Sequence, residues 1–143
     1  MAINFFQEDT TFKLPNRLKI KKWIKQVAAD EGYMIMDLNY IFCSDEYLYQ
    51  INLEYLNHPT YTDIITFDNS EEKKNLEGDI FISIERVREN AIIQKTTFDK
   101  ETLRVLSHGL YHLCGFKDKS KEDKKIMRQK EDEAILKFYS HST

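Results

Sequence analysis

Hydrophobic and polar positions along the chain follow two periods, and the switches between them mark the elements. The apolar-rich segment Ala2 to Phe6 predicts a first strand. After Pro15 and Asn16, the residues Ile20, Trp23, Ile24, Val27 and Ala28 recur at helical spacing up to Gly32, a residue suited to a left-handed cap. Between Met34 and Cys43, Met34, Met36, Leu38, Tyr40 and Phe42 alternate with Asp37 and Asn39, the period-two pattern of a half-buried strand. Ser44, followed by Asp45 and Glu46, has the form of a helix N-cap, with Leu48, Ile51 and Tyr55 as the buried stripe and Pro59 past the end. TDIITF and GDIFISI predict two more strands, joined by the polar stretch NSEEKKNLE, which is expected to be a mobile loop. Arg86 to Lys95 predicts a helix. Asp99 is expected to cap the next one, whose core side is Leu103, Leu106, Leu110 and Leu113 and which Gly115 stops. Ser120 with Asp123 resembles a capping box for a last helix that turns Met127, Ala134, Ile135 and Phe138 inward.

Four strands interleaved with five helices predict an α+β fold, a small mixed four-stranded sheet with about five helices packed on it. At 143 residues the chain fits one domain, 1–143, large enough for a single core without disulfide or metal support. Hydrophobic residues at 41% and charged residues at 31% match an ordinary globular protein and exclude a disordered one. No apolar run reaches the length of a bilayer span, and MAINFFQEDTTFKL lacks the basic start and long apolar stretch of a secretory signal. A cytoplasmic protein without a membrane partner is therefore expected, and a monomer. Cys43 and Cys114 form no CxxC pair, which suits a reducing compartment and two buried, inert thiols.

The formal net charge of −3 gives the whole molecule no attraction for nucleic acid, so such a partner needs a local patch. Two basic clusters exist, Lys19, Lys21, Lys22 and Lys25, and then Lys117, Lys119, Lys121, Lys124, Lys125 and Arg128 directly after a pair of histidines. That pair lies in HGLYHLCGFKD, where His108 and His112 stand four apart in a predicted helix. At that spacing their Cβ atoms lie about 6 Å apart on one face, so one metal ion can take both. Gly115 turns the chain out of the helix, and a return of three residues brings Asp118 toward the same point. Three ligands with room for water is the form of a catalytic zinc site. His58 and His141 have no such company and are expected to be ordinary surface residues.

The spacing HxxxHxxGxxD is close to the HExxHxxGxxH of metzincin peptidases. Gly109 stands where those enzymes carry the glutamate that serves as general base, which removes peptide hydrolysis by that route. Two histidines and a carboxylate also form the facial triad of iron oxygenases, a lesser alternative here.

With these residues in view, the chain resembles the YbeY family of rRNA-maturation endoribonucleases. The family signature HGxLHLxGYDH is matched at both leading histidines, Gly109, Leu113 and Gly115. NLEYLNHPTYTDIITFD (Asn52 to Asp68) and EGDIFIS (Glu77 to Ser83) are similar to further family blocks, as is the final helix with Met127 and Glu131. The resemblance implies a zinc-dependent, single-strand-specific endoribonuclease acting on rRNA and the small ribosomal subunit, in rRNA maturation and ribosome quality control, with no role on DNA. It implies one zinc ion per chain, held by His108, His112 and Asp118. The family's third histidine is Asp118 here, and the arginine of its NxxYR stretch is Leu56. RNA-binding charge is then expected from Arg104, Lys117 or Lys119. Asp63 and Asp79, in the two strand blocks, are the candidates for a catalytic base. Tyr61 and Phe116 are read as packing residues in preference to base-stacking ones. The rival from another class is a non-catalytic, zinc-stabilised RNA-binding module of the ribosome.

Overall fold

A computed structural model describes residues 2–140, so His141 lies outside the described residues. Nine elements follow in the order β1 (Ala2–Glu8), α1 (Arg17–Asp30), β2 (Met34–Cys43), α2 (Asp45–Leu56), β3 (Ile64–Asp68), β4 (Asn75–Ser83), α3 (Ile84–Ile93), α4 (Phe98–Leu113) and α5 (Lys121–Ser140). The sheet order is β1-β2-β4-β3, parallel through its first three strands and antiparallel where β3 meets β4. The expected α+β fold with a mixed four-stranded sheet is what forms. Among the described residues no helix is long and apolar enough to cross a membrane.

The caps follow from the side chains. Ser44 Oγ accepts from the Tyr47 amide, and Ser120 and Asp123 exchange two bonds, Asp123 N to Ser120 Oγ at 3.0 Å and Ser120 N to Asp123 Oδ2 at 3.2 Å, a reciprocal capping box. Two expectations shift. The α4 cap is Thr97, which accepts from the Lys100 amide, so Asp99 falls in the first turn and meets the helix dipole. Ser83 caps α3, which starts at Ile84, two residues before the predicted Arg86.

Within NSEEKKNLE, residues 69–74 form the expected loop, and it is anchored to the following strand. The segment's last three residues belong to β4, the Asn69 amide donates to Glu77 O at 2.8 Å, and the Ser70 hydroxyl donates to Glu77 O at 3.2 Å and accepts from Glu77 N at 2.9 Å. These bonds tie the polar stretch to the strand that follows it.

Alternation in the strands sorts two apolar layers. Ile3, Leu38, Tyr40, Phe42, Leu76, Ile80 and Ile82 pack with α1, α3, α4 and α5 in the main core, while Cys43, Ile65, Phe67 and Phe81 pack with Leu48 of α2 in a smaller one. Both cysteines are buried and free. α4 is the central helix, and its seating depends on a missing side chain. A Cβ on Gly109 would come within 2.9 Å of Ile80 Cγ2 and 3.0 Å of Ile64 Cδ1. Tyr40, beneath it, donates its hydroxyl to Leu106 O at 3.0 Å and fixes the helix lengthwise.

Candidate metal centre

The C-terminus of α4 closes as a Schellman motif. Phe116 N donates to Tyr111 O and Gly115 N to His112 O, both at 3.0 Å, with Gly115 at φ 96°. The Phe116 ring packs edge-on against Tyr111 at 5.5 Å, the apolar contact that accompanies this cap. Phe116 is thus a packing residue, as expected. Its carbonyl does something further, since it lies 3.0 Å from His112 Nδ1. A carbonyl only accepts, so Nδ1 carries the proton and Nε2 keeps a lone pair.

His108 is fixed in the same way by a different partner. Its Nδ1 donates to Glu131 Oε2 at 2.6 Å, a charge-assisted bond to a buried carboxylate of α5. The remaining Glu131 oxygen accepts from Arg104 Nη1 at 3.1 Å, and Arg104 also reaches Asp132 at 2.8 Å. Both imidazoles therefore aim Nε2 at one point. The two Nε2 atoms are 3.0 Å apart, Asp118 Oδ2 is 3.5 Å from His108 Nε2, and one ligand atom from each of the three residues lies within 4.8 Å of the others.

Two lone pairs that close repel unless a cation or a proton stands between them. Zn–N bonds of 2.0–2.1 Å at tetrahedral angles separate two nitrogens by about 3.3 Å, so the donor set fits zinc in type and spacing. Without a metal the groups divide the proton unequally. Burial lowers the His108 pKa, but the Glu131 hydrogen bond and charge, with Asp118 and Asp63, outweigh it and hold the net value above that of ordinary imidazole. Burial, then the neighbouring His108 charge, push His112 below it.

Two hollows flank the triad. One, of about 320 Å³, is lined by Asp63, Glu101, Arg104, His108, Asp118 and Arg128 among others. The other is a more open groove lined by His112 and Lys119, with Leu56 and His58 along it. His58, read from sequence as an ordinary surface residue, is exposed but faces this groove.

Asp63, just ahead of β3, shares the first hollow with His108 and takes a long bond from Asn90 Nδ2, 3.4 Å. Asp79 does not join it. Gly78 and Ile80 face α4, so Asp79 between them points to the opposite side of the sheet, where Asn39 and Asn69 donate to its carboxylate. It is a structural acceptor. Arg104 reaches the site, where its Nη1 and Nη2 engage Glu131 and Asp132, so it braces carboxylates. Lys117 and Lys119 are exposed on either side of Asp118. Tyr61 stacks on Tyr49 at 4.5 Å. Glu131 is the residue that spacing alone does not reveal, because it comes from another helix.

Comparison with known proteins identifies the family. The family model described as endoribonuclease YbeY matches residues 2–139. An endoribonuclease YbeY of Cytophaga hutchinsonii is 56% identical over 134 residues, 94% of each chain, and one of Christiangramia forsetii is 51% identical over 137 residues, 96% of this chain and 94% of the relative. A solution structure from Thermotoga maritima superimposes with a TM-score of 0.68 at 24% identity, covering 97% of this chain and 90% of the other, which supports the fold. On a match that runs through every element from β1 to α5, this chain belongs to the endoribonuclease YbeY family.

Proposed function

We propose that the chain is a zinc-dependent, single-strand-specific endoribonuclease of rRNA maturation and ribosome quality control, acting as a cytoplasmic monomer on the small ribosomal subunit. Membership of its family makes it a hydrolytic endoribonuclease. The choice of zinc is carried by one observation, the pair of Nδ1 anchors that turn both Nε2 lone pairs and the Asp118 carboxylate on a single point.

Zinc held there would supply Lewis acidity toward a phosphodiester and an acidified water near neutral pH. The chain's own residues do the rest. Glu131 and the Phe116 carbonyl hold the tautomers, and Arg104 holds Glu131, a positioning role. Asp63, in the hollow beside His108, is the carboxylate placed to accept a proton. Lys119, in the groove beside His112, and the exposed Lys117 offer charge to the RNA backbone. Leu56 in that groove carries no charge, so the electrostatic attraction falls to Lys119 in the groove and to the exposed Lys117.

The test uses protein stripped of metal and refilled with one equivalent of zinc. It should cleave single-stranded RNA and spare duplex RNA and DNA. His112→Ala should abolish cleavage with the fold retained by circular dichroism. RNA binding without cleavage by the refilled protein would support the non-catalytic module in its place.

A further inference from the structure

Two turns before His108, α4 carries a residue that the site above does not use. Glu101 lies about 10 Å from it along the axis at 1.5 Å per residue, and both line the 320 Å³ hollow, a volume within the range of small-ligand sites. Glu101 is 5% exposed, yet its Oε1 has no hydrogen-bond partner. Arg104 Nε stands 4.0 Å from that oxygen, outside bonding range, and the same guanidinium serves Glu131 and Asp132. A buried carboxylate oxygen without a donor is costly. Burial raises its pKa against the pull of Arg104 and Arg128. Such a group on the wall of a cavity suits a ligand that brings N–H donors with it.

Resting on the ribonuclease reading, we propose that this hollow holds a guanine base of the RNA strand, recognised by the Glu101 carboxylate, with the base's own phosphate directed toward the triad. Guanine presents N1–H and N2–H₂ side by side, two parallel donors for the two carboxylate oxygens. Uracil offers one N–H between two carbonyl oxygens that a carboxylate repels. Adenine and cytosine set a ring-nitrogen acceptor beside their amine, so each loses one bond and gains a repulsion. The Asn90 and Gln94 amides share the hollow and supply donors and acceptors for the remaining base edge, and Arg128 Nη2, 3.0 Å from Gln94 Oε1, fixes that amide. Single-stranded RNA is the form in which the Watson–Crick edge is open to such readout.

The zinc-loaded full chain is titrated with 5′-GMP, AMP, CMP and UMP and followed by amide and side-chain ¹⁵N shifts. GMP should bind about tenfold tighter than AMP, the low end for a good bidentate contact, and should shift the Asn90 and Gln94 side-chain signals. Glu101→Gln keeps the shape and removes a buried charge, so it should fold, which thermal unfolding checks. It should lower GMP affinity about tenfold and erase the preference, since its amide nitrogen opposes a guanine donor. Equal affinity for the four nucleotides, no binding, a preference that survives Glu101→Gln, or shifts confined to other surfaces would each overturn the proposal. The readout is binding, so RNA cleavage without guanine preference sinks the base pocket alone. Selective GMP binding by a chain that never cleaves RNA sinks the nuclease reading and leaves the pocket standing.

Discussion

Glu131→Gln is a nearly isosteric change that should be far from neutral. In the wild type, Glu131 Oε1 accepts from Arg104 and Oε2 accepts from His108 Nδ1. Arg104 can only donate, so the oxygen of a glutamine must face it, and the amide NH₂ must then face His108. That forces Nδ1 to accept and moves the imidazole proton to Nε2, where it points at the ligand position. The variant must either break the Arg104 bond or present a blocked ligand. Loss of an outer partner of this kind costs about 10–100-fold in metal affinity. At fixed zinc, the 100-fold end removes about 2.7 kcal/mol of ligand-linked stabilisation, a fall of roughly 5–10 °C in the zinc-dependent rise of Tm for a chain of this size. Competition with a chromophoric chelator measures the affinity, and melting with and without zinc measures the linkage. Wild-type zinc affinity in Glu131→Gln would refute the tautomer argument. The pH dependence gives a second check. His108 must shed its proton to bind zinc, and its pKa is raised, so as pH is lowered the affinity should begin to fall already above ~6.5, the ordinary imidazole value. In the variant the charge that raises it is gone, and the fall should move to lower pH.

Gly115→Ala should destabilise the fold by about 1–2 kcal/mol, the cost of a side chain at φ 96°, and should weaken zinc binding as well because the turn positions the Phe116 carbonyl; denaturant melts of the zinc-free protein and chelator competition separate the two effects. Cys43 and Cys114 are buried thiols, each pushed up to about 12 chiefly by desolvation, so neither should react with a disulfide reagent at pH 8 until the chain unfolds. Lys119→Ala should weaken single-stranded RNA binding and reduce the salt slope by about 0.7 in log–log terms, the loss of one phosphate contact; an unchanged slope removes Lys119 from the RNA path.

Much of this centre was readable in advance, and the failures are specific. HxxxH places two imidazoles on one helix face, and a glycine three residues later ends the helix, so His108, His112 and Asp118 follow from local geometry. Asp79 stands apart from the centre, and the signal for that is in the sequence. Gly78, Ile80 and Ile82 form the inward row of β4, and period-two alternation sends Asp79 outward. Arg104 shares a helix face with His108, which made it a fair candidate for phosphate, but its carboxylate partners on α5 have no sequence spacing to betray them. The role of Glu131 is hidden for the same reason. It reads as one acid in an acidic, mostly exposed helix, and only packing of α5 on α4 gives it a histidine to orient. In NSEEKKNLE the loop is legible from its composition, but nothing local announces that Ser70 and Asn69 will bond to β4.

The close seat of Gly109 on the sheet also separates this centre from the peptidases whose spacing it shares. Those enzymes need an acid at that position, and here any side chain would have to enter space already filled by Ile80 and Ile64. A single substitution could not carry the protein from one chemistry to the other, because it would lift the histidine helix off its bed before supplying a base. The two trades are divided by a packing barrier, and crossing it would require both isoleucines to shrink in the same step.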